Sequence, residues 1–230
     1  MILAKQLLKN KFTFAARKKS KKQAEMYFVK TPALFKWFYK QIVWDIPSDE
    51  KVIYLTFDDG PIPEITQWVL EILKEYNAKA TFFCVGENVK KYPEIFNDIT
   101  QNGHAVGNHT FHHISGWKTA KNAYIENVER AAELIESNLF RPPYGKMTPA
   151  QMRELGKKYR LIYWDVLSGD FDKSVDYKTC LKKLKKHTKS GSIVVFHDSI
   201  KSEKVLRMVL PEIMDYWQTN GFIFKKIASN

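Results

Sequence analysis

The hydrophobic and polar positions of this 230-residue chain alternate between two spacings from residue 51 onwards. Short apolar runs typical of buried strands are separated by stretches in which apolar residues recur every three or four positions, as in amphipathic helices. The predicted strands cover 52–57, 80–85, 104–107, 139–140, 161–166, 192–196 and 222–227. The predicted helices cover 63–76, 120–137, 148–158, 176–188 and 204–219. This alternation predicts parallel βα units, and seven strands suit a barrel or partly open barrel of the α/β class.

The first 50 residues do not follow this alternation. Residues 1–25 are basic and lack a core pattern, which predicts a flexible or helical extension, and Met26 is an alternative start. Residues 33–44 are rich in aromatics. One face of a helix there would carry Phe35, Phe38, Tyr39 and Ile42. Such a helix could pack over the domain or lie at a membrane interface. Because the regular alternation begins only at residue 51, we expect a basic N-terminal extension over 1–50 and a catalytic domain over 51–230.

The positive charge is concentrated in the same extension. Of a formal net charge of +12, residues 1–50 contribute 11 Lys/Arg against 4 Asp/Glu, and the other 180 residues contribute 26 against 21. A basic surface suits nucleic acid, anionic lipid or an acidic polymer, although it also keeps a protein soluble. The sequence contains no recognised nucleic-acid module, so we expect no nucleic-acid partner and allow peripheral membrane contact through the extension.

Targeting signals are not recognisable. No apolar run reaches the roughly 18 residues of a membrane-spanning helix, and Lys5 and Lys9 interrupt the apolar start before a signal-peptide core can form. The two cysteines, Cys84 and Cys180, do not require an oxidising compartment. A cytoplasmic or membrane-associated bacterial protein is the default expectation, and the compartment stays open.

Five polar motifs lie at or near the ends of the predicted strands. In chain order they are Thr56-Phe57-Asp58-Asp59-Gly60-Pro61, His109-Thr110-Phe111-His112-His113, Arg141-Pro142-Pro143-Tyr144-Gly145, the segment from Trp164-Asp165 through Asp170-Phe171, and Ile193-Val194-Val195-Phe196-His197-Asp198. Because parallel βα folds place their sites at the carboxyl ends of the strands, these motifs can converge on one face.

The motif residues are those that amide hydrolysis on a metal requires. Neighbouring Asp58 and Asp59 can face different directions, so one carboxylate can bind metal while the other faces the reactive water. His109 and His113 have the i, i+4 spacing that brings two imidazoles onto one ion on a helical turn, although His112 competes for the second position. Taken singly, these motifs also fit a non-catalytic interpretation: the first as an ordinary Asp-Gly turn, and the second as surface histidines.

His197 and Arg141 also have both a structural and a catalytic interpretation. His197 ends an apolar strand, where a lone histidine is often structural, and Arg141 carries a permanent charge that can fork onto a carboxylate or stay solvated at the surface. Together with the carboxylates and the paired histidines, they supply an acid and an orienting group. The non-catalytic interpretations do not explain why all of these residues occur together at strand ends.

The motifs resemble those of the NodB-homology polysaccharide deacetylases of carbohydrate esterase family 4, over residues 51–228. The resemblance implies a distorted (β/α) barrel. It also implies that Asp59, His109 and His113 bind a divalent ion, with zinc expected and Co²⁺ or Ni²⁺ as alternatives. The same resemblance selects His113 over His112.

The resemblance also assigns roles to the other motif residues. It makes Asp58 the general base, held by Arg141, and His197 the general acid, held by Asp170. The backbone N–H of Tyr144 would stabilise the oxyanion. The residues expected to contact substrate are Tyr144, Pro143, Phe171 and Val195.

Two positions depart from the family pattern and bear on the acyl group. The fourth motif usually ends in Asp-Trp but here ends in Asp170-Phe171, and the fifth usually carries Leu where this chain has Val195. In the family these residues line the pocket for the acetyl methyl group. Both changes keep the pocket apolar, alter its shape and leave the reaction type intact.

We therefore expect hydrolysis of acetyl groups from an N-acetylated sugar polymer or oligomer. A peptidoglycan-like glycan is the first expectation for the substrate, and chitooligosaccharide-like or O-acetylated sugars remain open. The rival hypotheses are a deacylase of the same fold acting on a non-sugar amide, a non-catalytic glycan-binding module, and a basic membrane- or nucleic-acid-binding protein.

Overall fold

The computed structural model describes residues 29–229, so the predictions for residues 1–25 and Met26 lie outside the described residues. The strands are β1 (Ile42–Val43), β2 (Val52–Asp58), β3 (Thr81–Cys84), β4 (Ala105–Asn108), β5 (Leu139–Phe140), β6 (Arg160–Ile162), β7 (Val166–Leu167), β8 (Ile193–His197) and β9 (Ile223–Phe224). The helices are α1 (Ala33–Phe38), α2 (Ile65–Glu75), α3 (Gly86–Lys91), α4 (Pro93–Gln101), α5 (Lys121–Ala132), α6 (Pro149–Leu155), α7 (Tyr177–His187) and α8 (Glu203–Thr219). Single 3₁₀ turns cover Gly116–Lys118 and Pro143–Gly145.

Strand β2 lies at the centre of the sheet and is buried along nearly its whole length. It pairs in parallel with β3 on one side and β8 on the other. The register places Asp58 opposite Phe83 of β3 and His197 of β8. Because parallel strands end at the same edge, the carboxyl end of β2 brings residues of the first and fifth motifs side by side.

The sheet curls into a distorted barrel, as predicted. Its strand order is β1-β6-β5-β4-β3-β2-β8-β7, with β9 added to the start of β2. Strands β6 and β7 therefore lie near opposite edges, yet only residues 163–165 separate them in the chain. That connection spans at most roughly 14 Å. The two edges must therefore approach each other, which requires a curled sheet.

The described residues contain nine strands rather than about seven. The predicted strand 161–166 is two strands, because the carbonyls of Ile162 and Tyr163 accept hydrogen bonds from Arg141 where β6 ends. The extra strand β1 pairs with β6 and comes from the segment predicted as a helix.

Residues 29–46 cover the seam between the two edges of the sheet. Lys30 and Asp45 form antiparallel bridges to Val166 and Ser192. Asp165 is fully buried beneath this segment and forms ion pairs with Lys30 and Lys36. Burial would raise the pKa of Asp165, but the hydrogen bonds from the two lysines lower it below its usual value. Part of the predicted extension is thus fixed to the barrel, and the domain division at residue 50 stays a prediction.

The helix predicted over residues 33–44 is wrong in extent. Helix α1 ends at Phe38, and Ile42 belongs to β1, so the four aromatic and apolar residues do not form one helical face. Ile42 alone of them is buried, and the aromatic residues of α1 are exposed. Within residues 29–229, no helix is long and apolar enough to cross a membrane.

Other differences from the predicted elements are local. Helix α5 ends at Ala132 rather than near residue 137, and the last strand has two residues instead of six. Helices α3 and α4 were not predicted, although Pro93 at the first position of α4 and the i, i+4 pair Ile95 and Ile99 are helix signals. None of these differences moves a strand end that carries a motif.

Candidate active site

The two carboxylates at the end of β2 face different directions because the backbone turns sharply between them. Asp58 is the last residue of the strand, whereas Asp59 has a φ of 88° in the left-handed region. Asp58 is buried and Asp59 is partly exposed. The side chain of Asn88 donates a 2.8 Å hydrogen bond to the carbonyl of Asp59, which fixes this turn. The sequence-based expectation that neighbouring carboxylates diverge matches this geometry.

The buried side chain of Asp198 stabilises the turn that follows Asp59. Its carboxyl accepts hydrogen bonds from the Gly60 N–H at 3.0 Å and from the Thr66 hydroxyl at 2.6 Å. A Cβ on Gly60 would lie only 2.0 Å from Asp198 Oδ2, so glycine is required there. Burial raises the pKa of Asp198 to about 8, and the charge of Asp59 acts in the same direction. The Asp198 carboxyl thus fixes the turn that separates Asp58 from Asp59.

His109 and His113 meet in a loop, not on a helical turn. The loop follows β4, and Thr110 and His113 have φ values of 64° and 52°. Asn108 stabilises it by accepting a 2.9 Å hydrogen bond from the Thr110 N–H. The helical premise was therefore wrong, yet the imidazole rings lie 5.1 Å apart and face the same carboxylate.

Asp59, His109 and His113 form a compact set of candidate metal ligands. Asp59 Oδ1 lies 3.1 Å from His113 Nε2 and 3.8 Å from His109 Nε2, and one ligand atom from each residue lies within 4.8 Å of the others. Ligands about 2.0–2.1 Å from a tetrahedral zinc ion lie roughly 3.3–3.5 Å apart, so the set fits a divalent metal. Two imidazoles and one carboxylate leave positions open for substrate and water, as catalytic sites do.

The protonation states suit this role. His109 donates from Nδ1 to the carbonyl of Arg141 at 2.7 Å, a tautomer that leaves Nε2 as a ligand. Burial lowers the pKa of His109 to about 4, so the ring is neutral at pH 7. Desolvation would raise the pKa of Asp59, but the hydrogen bond from His113 and the charge of His197 hold it well below its usual value.

His112 lies outside this set. Its Nε2 is 3.1 Å from Arg130, its Nδ1 is 3.5 Å from Glu87, and its ring contacts Phe111 on the far side of the loop. The structure therefore brings His113, and not His112, to Asp59.

Arg141 is fully buried, and its guanidinium donates hydrogen bonds to Asp58 and to groups on the neighbouring strands. Its guanidinium donates to Asp58 Oδ1 at 2.6 Å, Thr56 Oγ1 at 2.7 Å, the Tyr163 carbonyl at 2.8 Å and the Ile162 carbonyl at 3.2 Å. Its face lies 4.1 Å from the Phe83 ring centroid. Burial lowers the pKa of Arg141, and the adjacent Asp58 carboxylate opposes that effect. This network fixes one oxygen of Asp58.

His197 and Asp170 form a second fixed pair, at the end of β8 beside Asp58. Asp170 Oδ1 lies 2.8 Å from His197 Nδ1, and its Oδ2 accepts the backbone N–H of His197 at 2.8 Å. Ser168 Oγ donates a further 2.9 Å hydrogen bond to Asp170. Burial would lower the pKa of His197, but the Asp170 carboxylate raises it to about 9. The imidazole is therefore protonated at neutral pH, with Nε2 available as a donor.

One cavity of about 310 Å³ joins these groups. The residues predicted for the site that line it are Asp58, Asp59, His109, His113, Tyr144, Phe171, Val195 and His197. Arg141 and Asp170 lie directly behind Asp58 and His197. Pro143 does not line the cavity and is buried, whereas its neighbour Pro142 does line it. Pro142 lines the cavity in place of Pro143 because of the 3₁₀ turn at residues 143–145, in which Tyr144 has a φ of 61°.

Sequence reasoning missed several lining residues. They are Pro142, Gly145, Lys146, Trp164, Leu167 and Lys201. Trp164 lay inside the fourth motif, and its ring packs so closely on Gly145 that a Cβ there would be 2.6 Å away. Nothing in the local pattern marks Lys146 or Lys201 among the chain's many lysines. Only their nearness to the third and fifth motifs could have drawn attention to them.

The chain is similar in sequence to known polysaccharide deacetylases. A family model described as polysaccharide deacetylase matches residues 45–164. The chain is 28% identical over 194 residues to a peptidoglycan-N-acetylglucosamine deacetylase of Bacillus cereus, covering 81% of this chain and 91% of that protein. It is 33% identical over 161 residues to a chitooligosaccharide deacetylase of Azorhizobium caulinodans, covering 66% and 76%.

A solved structure extends the likeness to three dimensions. The crystal structure of a peptidoglycan N-acetylglucosamine deacetylase superimposes with a TM-score of 0.78 at 29% identity. The alignment covers 86% of this chain and 95% of that one, so the likeness extends over nearly the whole barrel.

Proposed function

The chain belongs to the polysaccharide deacetylase family, and we propose that it acts on a peptidoglycan-type glycan at the cavity beside β2 and β8. Members of this family depend on a divalent metal, and this enzyme hydrolyses N-acetyl groups from sugar polymers. The observation that carries the residue assignment is the convergence of three fixed sets on one cavity: the ligand triad, the Asp58–Arg141 pair and the His197–Asp170 pair.

Asp59, His109 and His113 would hold the metal. When bound, it supplies Lewis-acid polarisation and lowers the pKa of water. We propose zinc, since two imidazoles and one carboxylate match its catalytic sites, with Co²⁺ and Ni²⁺ as alternatives. The fixed Nδ1–H of His109 supports this assignment, because it orients the lone pair of Nε2 towards Asp59.

Asp58 would act as the general base. Arg141 holds its Oδ1, which leaves the other carboxylate oxygen to take a proton from the attacking water. The new C–O bond forms as negative charge builds on the carbonyl oxygen, and the Tyr144 N–H would donate to that oxygen. The buried guanidinium would keep Asp58 oriented during this step, since three further hydrogen bonds, to Thr56 Oγ1 and to the Ile162 and Tyr163 carbonyls, hold the arginine itself.

His197 would act as the general acid. Its Nδ1 is held by Asp170, so Nε2–H is the group that can protonate the amine nitrogen as the C–N bond breaks. Acetate and a free amino sugar leave. The raised pKa of His197, about 9, keeps the proton in place at neutral pH.

The acyl group would lie between Phe171, Val195 and Leu167, which are among the apolar residues that line the cavity. Phe171 packs edge-on against His197 at 4.9 Å, so the acyl group would sit next to the proton donor. The sugar would lie towards Tyr144 and Trp164, two rings suited to the apolar faces of a pyranose.

Acetate release provides the direct test. Wild type, Asp58→Asn and His113→Asn would each be assayed on peptidoglycan fragments and on N-acetylglucosamine oligomers, after chelation and after zinc is restored. We expect metal-dependent release that Asp58→Asn and His113→Asn reduce by at least about 10²-fold. His112→Asn is the matched control, because this ring points to Arg130 and Glu87 and should leave release near the wild-type rate.

The same assay separates the alternatives for the substrate. Release from N-acetylglucosamine oligomers but not from peptidoglycan fragments would favour a chitooligosaccharide substrate. Cleavage of small linear amides or O-acetyl esters, with both glycans resistant, would replace the proposal with a deacylase of a different substrate class.

We also propose that α1 and the basic residues before it contact an anionic membrane surface. The side chains of Leu34, Trp37 and Phe38 are each more than 60% exposed. Residues 1–28, which lead directly into this segment, contain eight Lys/Arg and one acidic residue, Glu25. Exposed aromatics beside clustered positive charge suit a bilayer interface with anionic headgroups.

Vesicle sedimentation tests this contact. We expect the protein to bind vesicles containing phosphatidylglycerol and not vesicles of phosphatidylcholine alone, and the binding to weaken with salt. Trp37→Ser should reduce binding several-fold. Trp117→Ser is the control, because Trp117 is 66% exposed but lies far along the chain from the basic segment. Equal binding by the two variants would overturn the proposal.

A further inference from the structure

Two lysines stand at the cavity beside the aromatic side chains that line it. Lys146 follows the 3₁₀ turn at Pro143–Gly145, and Lys201 lies four residues beyond His197. Lys146 Nζ is 5.9 Å from the Tyr144 ring centroid, and Lys201 Nζ is 5.2 Å from that of Phe171. Two different loops, one after β5 and one after β8, thus each place one ammonium group at the cavity.

Neither lysine has a carboxylate partner among residues 29–229, although several other lysines of the chain do. The carboxylates that line or support the cavity are already engaged. Asp58 pairs with Arg141, Asp170 pairs with His197, and Asp59 lies against the two metal-ligand histidines. The positive charge of Lys146 and Lys201 is therefore not neutralised by the wall of the cavity.

An uncharged glycan would form no ion pair with Lys146 or Lys201. A chitooligosaccharide offers mainly hydroxyl and acetamido groups, whereas peptidoglycan carries carboxylates on its stem peptides and, on sugars that carry no peptide, on the lactyl ether. An ammonium group pairs with a carboxylate as a compact point charge that does not demand one fixed geometry. A pair of lysines on mobile stems therefore suits a carboxylate that varies in position along a polymer.

We propose that Lys146 and Lys201 form an anion subsite that binds a carboxylate on the glycan next to the N-acetylated sugar. The subsite rests on the proposed deacetylase function and narrows its substrate to acidic glycans of the peptidoglycan type. It acts on binding and leaves the chemistry to Asp58 and His197.

The size of the effect follows from the exposure of the pair. Lys201 is exposed and Lys146 is half-buried, so each ion pair should change kcat/KM by only about 2- to 5-fold. The double substitution should change it by about 10-fold, because the two lysines share one ligand. The effect should shrink as salt is raised, since exposed charges are screened.

The test compares two forms of one substrate. A GlcNAc–MurNAc oligosaccharide with its free lactyl carboxylate is assayed beside the same oligosaccharide converted to the carboxamide. In wild type, the acid form should have the higher kcat/KM. In Lys146→Gln/Lys201→Gln, the ratio of acid to carboxamide kcat/KM should fall about 10-fold, mainly through KM. Lys204→Gln, an exposed lysine on α8 outside the cavity, should leave the ratio at the wild-type value.

Two outcomes overturn the subsite: an unchanged ratio in the double variant, or a loss of the same size on both substrates. Failure of the proposed function is recognised separately. If wild type deacetylates neither form, equilibrium binding of the two oligosaccharides decides instead. Tighter binding of the acid form that the double variant loses would support the subsite, and equal binding of both forms would overturn it.

Discussion

The inner wall of the cavity and its rim are built in different ways. On the inner wall, Arg141 and Asp170 are buried, and each makes several hydrogen bonds to backbone and side-chain groups. On the rim, Tyr144 and Lys201 are exposed and come from loops. The groups proposed for proton transfer are therefore fixed in place before substrate arrives, whereas the side chains proposed for substrate choice can adapt.

The inner wall and the rim should also differ in how substitutions there affect stability. Inner-wall side chains sit in networks whose partners would be left buried and unpaired after substitution, so changes there should lower both activity and the free energy of unfolding. Rim side chains have solvent on one side, so changes there should alter substrate preference with little effect on folding.

The largest effect is expected for Arg141→Lys. Lysine keeps the charge but cannot reproduce the fork that reaches Asp58, Thr56 and two backbone carbonyls. We expect the free energy of unfolding to fall by roughly 3 kcal/mol, because a buried charge network is broken. Activity should fall by about 10²-fold or more, because Asp58 is no longer held. Urea unfolding and acetate release measure the two effects.

Arg160→Lys is the control for that substitution. Arg160 also donates to a backbone carbonyl, that of Ala228, but it does so at the surface. Its replacement should change stability by less than about 0.5 kcal/mol and leave activity unaltered. Equal behaviour of the two variants would mean that burial of the Arg141 network does not matter, and the contrast between wall and rim would fail.

The next effect is a pH shift in Asp170→Asn. The Asp170 carboxylate raises the pKa of His197, and an acid works only below its pKa, so activity should fall on the alkaline side. Removing the carboxylate lowers that pKa, and the alkaline limb of kcat should move down by about one to three pH units. Asp172→Asn, on the same loop, is the control. A uniform loss of activity with an unmoved limb would count against Asp170 acting through His197.

Much of the inner wall could be predicted from the sequence, because strand ends carry its chemistry. Asp58, Asp59 and His197 follow apolar strands, and parallel pairing brings such ends together whatever the loops do. The convergence of His109 and His113 was predicted for the wrong reason, since the loop's left-handed residues, and not a helical turn, bring the rings together.

The rim and the N-terminal segment could not be predicted in the same way. Lys146 and Lys201 are ordinary lysines in sequence, and only the folded loops place them at one cavity. The aromatic run at 33–44 has helical spacing, but pairing of Ile42 with Leu161 of β6 overrides that local preference. Loop conformation and long-range pairing are therefore what the local pattern leaves undetermined.

A smaller effect is expected for Val195→Leu, at the boundary between wall and rim. Val195 is fully buried in β8 and lines the cavity, so one more methylene should overpack the wall and cost about 1 kcal/mol of stability. The same methylene would narrow the proposed acyl pocket. Hydrolysis of N-propionyl relative to N-acetyl substrate should fall by about 10-fold. Matched kinetics on the two acyl glycans would measure this, and an unchanged ratio would remove Val195 from the acyl pocket.

The smallest effect is expected for Phe171→Trp, which enlarges a rim ring. Phe171 is half-buried, and the flexible side chain of Lys201 lies over its ring and can shift, so the larger side chain should change the free energy of unfolding by less than about 0.5 kcal/mol. Its ring centroid lies 4.9 Å from that of His197, and its side chain lines the part of the cavity proposed for the acyl group, so the preference for acetyl over propionyl should rise only a few-fold. Thermal unfolding and the same pair of acyl substrates measure both quantities. A stability loss comparable with that of Val195→Leu would show that Phe171 belongs to the rigid wall, and the boundary between the two regions would then have to move outwards to Lys201.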